Sequence, residues 1–189
     1  MGASIYKKSG KIWHNAKLSC IKGGGQGRDA MYFAQRGFDI HVLDYSDTAI
    51  GPIEEKARLM GLWQRITTLK HDARDGLPFD DQAFDACFSH MFFCMALTLR
   101  QLESISGEIL RVLKPNGINI FTTRNTHDAH FGAGIHRGDG MYEMNGFVVH
   151  FLGIQQINRI SKGFEGINIE EFEEGELPKK LYCATMHKK

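Results

Sequence analysis

The sequence predicts an α/β fold, doubly wound: a mostly parallel sheet with helices packed on both faces. Three observations predict it. Apolar runs of strand length alternate with segments of helical period from residue 18 to residue 162. A glycine cluster, GGGQG at residues 23–27, separates the first strand from the first helix. The last two strands, 167–172 and 180–186, leave no room for a helix between them, so they form an antiparallel hairpin at one edge. At 189 residues the chain is expected to be one domain, residues 1–189, large enough to bury a core without staples.

Residues 1–17 are polar and mixed and form an N-terminal lead, anchored only by Ile5, Tyr6, Ile12 and Trp13. Residues 18–22 make the first strand, although Ser19 and Lys22 interrupt the apolar run that a strand buried on both faces needs. A helix follows over 28–36, with Ala30, Met31, Phe33 and Ala34 on its apolar side and Gly37 as its left-handed stop. Residues 39–43 are the second strand. Ser46 caps the second helix, Gly51-Pro52 splits it into a first turn and a restart, and Gly61 ends it. The third strand is 65–70, followed by a polar turn over 71–76. A loop at 78–81 leads to the fourth strand, 83–90. Apolar residues at 99, 102, 105, 109, 110 and 113 mark an amphipathic helix over 97–113. Lys114-Pro115-Asn116-Gly117 is a stop-and-turn signal before the fifth strand, 118–123. Residues 125–145, rich in Gly, His and Asp, read as a long loop, a length that is usually functional. An apolar run at 146–152 and a helix over 154–162 precede the hairpin.

Composition narrows the classes of function. A formal net charge of +1 gives no long-range field, which argues against nucleic acid as a partner. No apolar run approaches the length of a membrane span, and the N-terminus lacks an apolar signal core, so a cytoplasmic location is expected. Cys20, Cys87, Cys94 and Cys183 are scattered without a CxxC pair, as buried thiols in a reducing compartment would be. The acidic cluster 170–176 reads as a solvated edge. Oligomeric state is open between monomer and homodimer.

In open α/β sheets the ligand lies beyond the carboxyl ends of the strands, beside the first one. That gathers residues 23–27, Asp44, 71–73 and 89–93 around one crevice. Gly23, Gly25 and Gly27 permit a tight turn and close approach of backbone N–H groups to a ligand. A dinucleotide fingerprint would place a small residue where Arg28 stands, which argues against NAD or FAD and an oxidoreductase. Asp44 can accept both hydroxyls of a ribose. Asp72 can accept an adenine amino group while the Ala73 N–H donates to the ring; a plain turn aspartate is the equal alternative.

The segments GGGQGRDAMYFAQRGFDIHVLDYSDTAI, HDARDGLPFDDQAFDACFSHMFF and EILRVLKPNGINIFTTRNT carry a family resemblance over most of residues 23–126. The chain resembles the class I S-adenosylmethionine-dependent methyltransferases, in particular the small type 11/type 12-like family that acts on small molecules. The LKPNG turn is especially characteristic. The resemblance implies a seven-stranded Rossmann-like sheet of order 3-2-1-4-5-7-6 with the seventh strand antiparallel. It implies S-adenosyl-L-methionine as cofactor, with its methionine end at Gly23, Gly25 and Gly27 and its ribose at Asp44 beside Tyr45. Adenine would lie near Asp72 and Ala73, and Ser89 and His90 beside the sulfonium. The region 125–145 becomes the substrate-side loop.

Upstream of Gly23 the chain departs from that pattern. Ile21 stands where the family carries an acidic residue, Lys22 where it carries an apolar one, and the lead is short. Either the N-terminal segment is altered, or Lys22 makes a compensating contact with the cofactor carboxylate. The leading expectation is methyl transfer to a small-molecule acceptor; the alternative is an impaired or non-catalytic cofactor-binding paralogue. Methyl transfer needs alignment and exclusion of water more than acid-base machinery. His90 and His127 are the base candidates, ahead of His130 and His136, and Arg124, His127 and Tyr142 are candidate substrate anchors. The histidines lack the spacing of a metal site, so no metal is expected.

Overall fold

The structure, a computed structural model, describes residues 17–21, 27–175 and 179–189. The lead up to residue 16, Lys22, Gly23 and Gly25 lie outside the described residues. In order, the elements are β1 (Lys17–Ile21), α1 (Arg28–Ala34), β2 (Asp39–Asp44), α2 (Asp47–Leu59), β3 (Ile66–Lys70), β4 (Phe84–His90) and α3 (Leu99–Val112). They continue with β5 (Leu113–Arg124), β6 (Ile135–Gly138), β7 (Met141–Met144), β8 (Phe147–His150), α4 (Ile154–Ile160), β9 (Phe164–Glu174) and β10 (Lys179–Lys188). Seven strands form one sheet in the order β3-β2-β1-β4-β5-β10-β9. β1 to β5 pair in parallel, and β10 runs antiparallel to both β5 and β9. β1, the weak strand of the sequence, nonetheless lies in the middle, between β2 and β4.

Alternation along the buried strands sends successive side chains to opposite faces, and each face meets its own helices. On one face Ile40, Val42 and Phe88 pack with Ala30 and Met31 of α1 and with Ile53 and Ala57 of α2. On the other, Leu43, Cys87 and Phe121 pack with Leu102, Ile105 and Ile109 of α3 and Ile157 and Ile160 of α4. α3 starts at a capping box: Thr98 accepts from the Gln101 N–H while the Gln101 side chain accepts from the Thr98 N–H. Gly37 ends the α1 region with φ 90° and Gly61 ends α2 with φ 68°, both left-handed stops.

Three local expectations are corrected. α2 runs unbroken through Pro52. Gly51 and Pro52 lie on its exposed face, where water can take the carbonyl that the proline leaves unbonded, and buried Ile53 holds the helix to the sheet. Ser46 occupies the N-cap position, but its hydroxyl meets Thr48 Oγ1 at 2.6 Å and makes no cap bond to the backbone. Residues 125–145 are not one long loop: β6 and β7 fall within it and pair antiparallel with β8 in a separate three-stranded sheet.

The Lys114–Gly117 segment belongs to β5, which starts directly from the end of α3. Asn116 adopts φ 61°, and at Gly117 a Cβ would stand 2.7 Å from the Lys114 carbonyl oxygen and 3.2 Å from that of Asp85. The glycine is therefore required by close backbone approach. Gly117→Ala is expected to destabilise the fold by about 1–3 kcal/mol, the usual range for overpacking. Equilibrium urea unfolding would show a lower midpoint with an unchanged slope; an unchanged midpoint would refute the steric reading.

Candidate functional site

The register aligns the carboxyl ends of the parallel strands along one edge. Ile21 is level with Leu43, Asp44 with Lys70, and His90 with Thr122. Asp44, the last residue of β2, is 2% exposed. Its Oδ1 accepts the Ser46 N–H at 2.9 Å, and its Oδ2 is buried without a partner. Ser89, one residue before the end of β4, is fully buried, and its Oγ likewise has no partner. Among the described residues Asp44 Oδ2 is the sole carboxylate oxygen in that condition. An unmet buried acceptor costs about 1–3 kcal/mol, and a donor from a bound molecule would remove that cost. The hydroxyl of a bound ribose is a group of that kind.

Tyr45 follows Asp44 at the surface, 60% exposed. Asp72 caps the short turn Ala73–Asp75, and its Oδ1 accepts from the Arg74 N–H at 3.0 Å and from the Arg74 Nε at 2.9 Å. The Arg74 guanidinium holds the Asp72 carboxyl below its ordinary value. The Asp72 side chain thus works as a turn carboxylate here. Ala73 is buried against the α3 side of the core.

His90 ends β4 with both ring nitrogens facing polar groups: Nδ1 is 2.7 Å from Thr122 Oγ1, and Nε2 is 3.3 Å from Glu174 Oε2. Thr122 Oγ1 also accepts the Met91 N–H at 3.0 Å. Met91 adopts φ 59°, a strained conformation for a methionine, at the point where the chain leaves β4. Non-glycine strain of this kind collects where a structure must aim a backbone at a ligand.

The three-stranded sheet attaches to the same edge. The Leu152 N–H donates to the Arg124 carbonyl at 3.0 Å and the His150 N–H to the Cys94 carbonyl at 2.9 Å. Tyr142 of β7 lies among rings: His136 at 5.0 Å, Phe131 at 5.4 Å and Phe151 at 6.2 Å between centroids. Arg124 is not free to anchor a substrate. Its guanidinium is buried, donating from Nε to Asp128 Oδ2 at 2.8 Å and from Nη2 to Asp128 Oδ1. His127 is largely exposed and pairs with Glu171 at 3.1 Å. His130 lies 3.3 Å from Asp128. No group of three or more potential metal ligands occurs among the described residues.

Glu174 was hidden from sequence reading. Its neighbours Glu170, Glu171 and Glu173 are exposed, as a solvated acidic edge should be, but Glu174 is half-buried against His90. The signal that could have found it is position alone: it stands at the end of the strand before the edge hairpin's turn, on the carboxyl side of the sheet.

Comparison with known proteins gives one consistent result. A methyltransferase domain family matches residues 22–117, just over half of the chain. Among curated proteins no sequence matches. Among solved structures, an S-adenosylmethionine-dependent methyltransferase from Methanosarcina mazei superposes with a TM-score of 0.80 at 19% identity, covering 94% of each chain. An N-methyltransferase from Bradyrhizobium japonicum, in complex with S-adenosyl-L-homocysteine, gives 0.69 at 13% identity over 92% of this chain and 79% of that one. The 1,6-didemethyltoxoflavin-N1-methyltransferase of Burkholderia thailandensis, with its substrate and S-adenosylhomocysteine bound, gives 0.71 at 12% over 93% and 72%. At these identities the structures show a shared fold.

Proposed function

This chain belongs to the methyltransferase domain family, and on that premise we propose that it methylates a small-molecule acceptor at the crevice beyond β1, β2 and β4. S-adenosylmethionine-dependent methyl transfer is the family's activity, and the cofactor supplies an already activated methyl group. The observation that carries the placement of the site is Asp44: a buried carboxylate at the end of β2 with one oxygen unmet. In this reading Asp44 holds the ribose with Tyr45 alongside, and Gly23, Gly25 and Gly27 receive the methionine end. The Ala73 N–H faces the adenine, and Ser89 lines the crevice below the sulfonium. The seven-stranded sheet and the three-stranded sheet are taken as one domain over residues 1–189.

The chain's own residues then have limited chemistry to perform. They orient the acceptor behind the methyl group and exclude water. In this reading Phe131, His136 and Tyr142, gathered beside fully buried Phe151, supply an acceptor wall, with Phe131 40% exposed. An aromatic or apolar small molecule fits that wall better than a phosphate-rich polymer, in keeping with the net charge of +1. His90 has both ring nitrogens turned to protein groups, so it acts as a positioning residue and the acceptor enters with a lone pair already available. His127, 57% exposed and paired with Glu171, is not needed as a base in this reading. Among the described residues no helix is long and apolar enough to cross a membrane.

Nothing among the described residues or the comparisons favours the impaired alternative. Calorimetry with S-adenosylmethionine and S-adenosylhomocysteine tests the reading. Micromolar binding is expected; absence of binding at millimolar ligand would overturn it.

A further inference from the structure

The edge hairpin does something that its place in the sheet does not require. His90 is level with Thr122, Thr122 with Cys183, and Cys183 with Glu170. Glu174 lies four residues beyond Glu170, about 13 Å past the end of β4 at ~3.3 Å per residue. Three inter-strand spacings, about 14 Å at ~4.8 Å each, also separate β9 from β4. Yet Glu174 Oε2 is 3.3 Å from His90 Nε2, and its Oε1 is 4.0 Å from Arg28 Nη2. The end of the hairpin, where Glu174 still pairs with Lys179, therefore leans toward β4, and the Glu174 side chain reaches the residue directly after the glycine loop.

The pairing with Arg28 is loose. At 4.0 Å it is beyond hydrogen-bond length. The Arg28 side chain is 63% exposed, and its Nε donates to buried Asp29 at 3.3 Å. Glu174 is steadied by His90, which is itself fixed by Thr122. An exposed guanidinium and a half-buried carboxylate therefore face each other 4.0 Å apart beside Gly27, at the end of the glycine loop.

A zwitterionic α-amino acid group presents the complementary charges, a carboxylate for the guanidinium and an ammonium for the carboxylate. Asp44 and Asp72 are placed differently: Asp44 lies at the end of β2, and Asp72 pairs with Arg74 of its own turn.

We propose that Glu174 and Arg28, drawn together from opposite ends of the chain, clamp the amino acid end of the cofactor. Glu174 takes the ammonium group and Arg28 the carboxylate. The proposal rests on the family reading above. It also supplies a carboxylate where the resemblance expects an acidic residue and the sequence has Ile21. His90 is then a positioning residue for Glu174.

Calorimetry on the full chain with three ligands tests the clamp: S-adenosylmethionine, its decarboxylated form, and methylthioadenosine, which lacks the amino acid group. Glu174→Gln is expected to weaken S-adenosylmethionine at least about tenfold and leave methylthioadenosine within about twofold. Glu174→Asp should recover part of the loss. Arg28→Gln should weaken S-adenosylmethionine while leaving the decarboxylated form unchanged. Unaltered S-adenosylmethionine affinity in Glu174→Gln, or equal loss of all three ligands, would overturn the clamp. Failure of the unsubstituted protein to bind S-adenosylmethionine or methylthioadenosine would instead overturn the family reading of the site.

Discussion

Asp44→Ala is expected to weaken S-adenosylmethionine binding at least about tenfold, because a hydrogen bond to a charged group is worth about 1.5–3 kcal/mol. The effect should fall on binding and not on the fold. Asp44 already has one oxygen bonded, to the Ser46 N–H, and the other buried without a partner. Its removal in the empty protein therefore loses one local bond while relieving an unmet acceptor. Thermal unfolding without ligand should change little, and the shift that ligand produces should shrink. Asp44→Asn keeps the shape and one acceptor oxygen, and should lose less. Unchanged affinity by calorimetry in Asp44→Ala would remove the ribose assignment.

The second large effect concerns the fold around the acceptor side. Asp128→Ala is expected to destabilise the protein by about 3–5 kcal/mol, the usual cost of stranding a buried charge. The side chains of Arg124 and Asp128 are 8% and 1% exposed. Asp128 also accepts the His130 N–H at 2.9 Å and the Lys180 N–H at 2.8 Å, so one carboxylate ties the end of β5 to the following loop and to β10. Burial pushes the Asp128 carboxyl up, but Arg124 and the two backbone N–H groups outweigh it and hold it below the ordinary value.

A depressed folded value fixes the sign of the pH dependence. The contribution is complete above the unfolded value, about 3.9, and is lost as pH falls through the folded one. Equilibrium urea unfolding should therefore show the difference between the two proteins narrowing in acid. A cost below about 1 kcal/mol at neutral pH would show that Arg124 finds another partner or water.

Several of these features were legible in the residues alone. The glycine cluster and the carboxylate at residue 44 sit in one local β-turn-α-β grammar, where spacing along the chain is also spacing in space. The alternation of strands and helices was equally local, and the edge hairpin followed from the absence of room for a helix. Pro52 misled because a helix-breaking signal is weighed against burial, and buried Ile53 on the next position outweighs it. The glycines and histidines of residues 125–145 concealed β6 and β7 because short strands of mixed polarity carry little periodicity, and their pairing with β8 is what defines them.

The sequence by itself determined the sheet's framework and the family, since each depends on short-range pattern. Only the tertiary structure decided which charged groups are available at the crevice. Arg124 turns inward to Asp128, Asp72 is engaged by Arg74, and Glu174 leaves an acidic run to meet His90 and Arg28. Those outcomes depend on which distant charges the lean of the hairpin and the ends of β4 and β5 bring within a few ångströms. No spacing along the chain encodes that, because Coulomb attraction and burial act on distance in space.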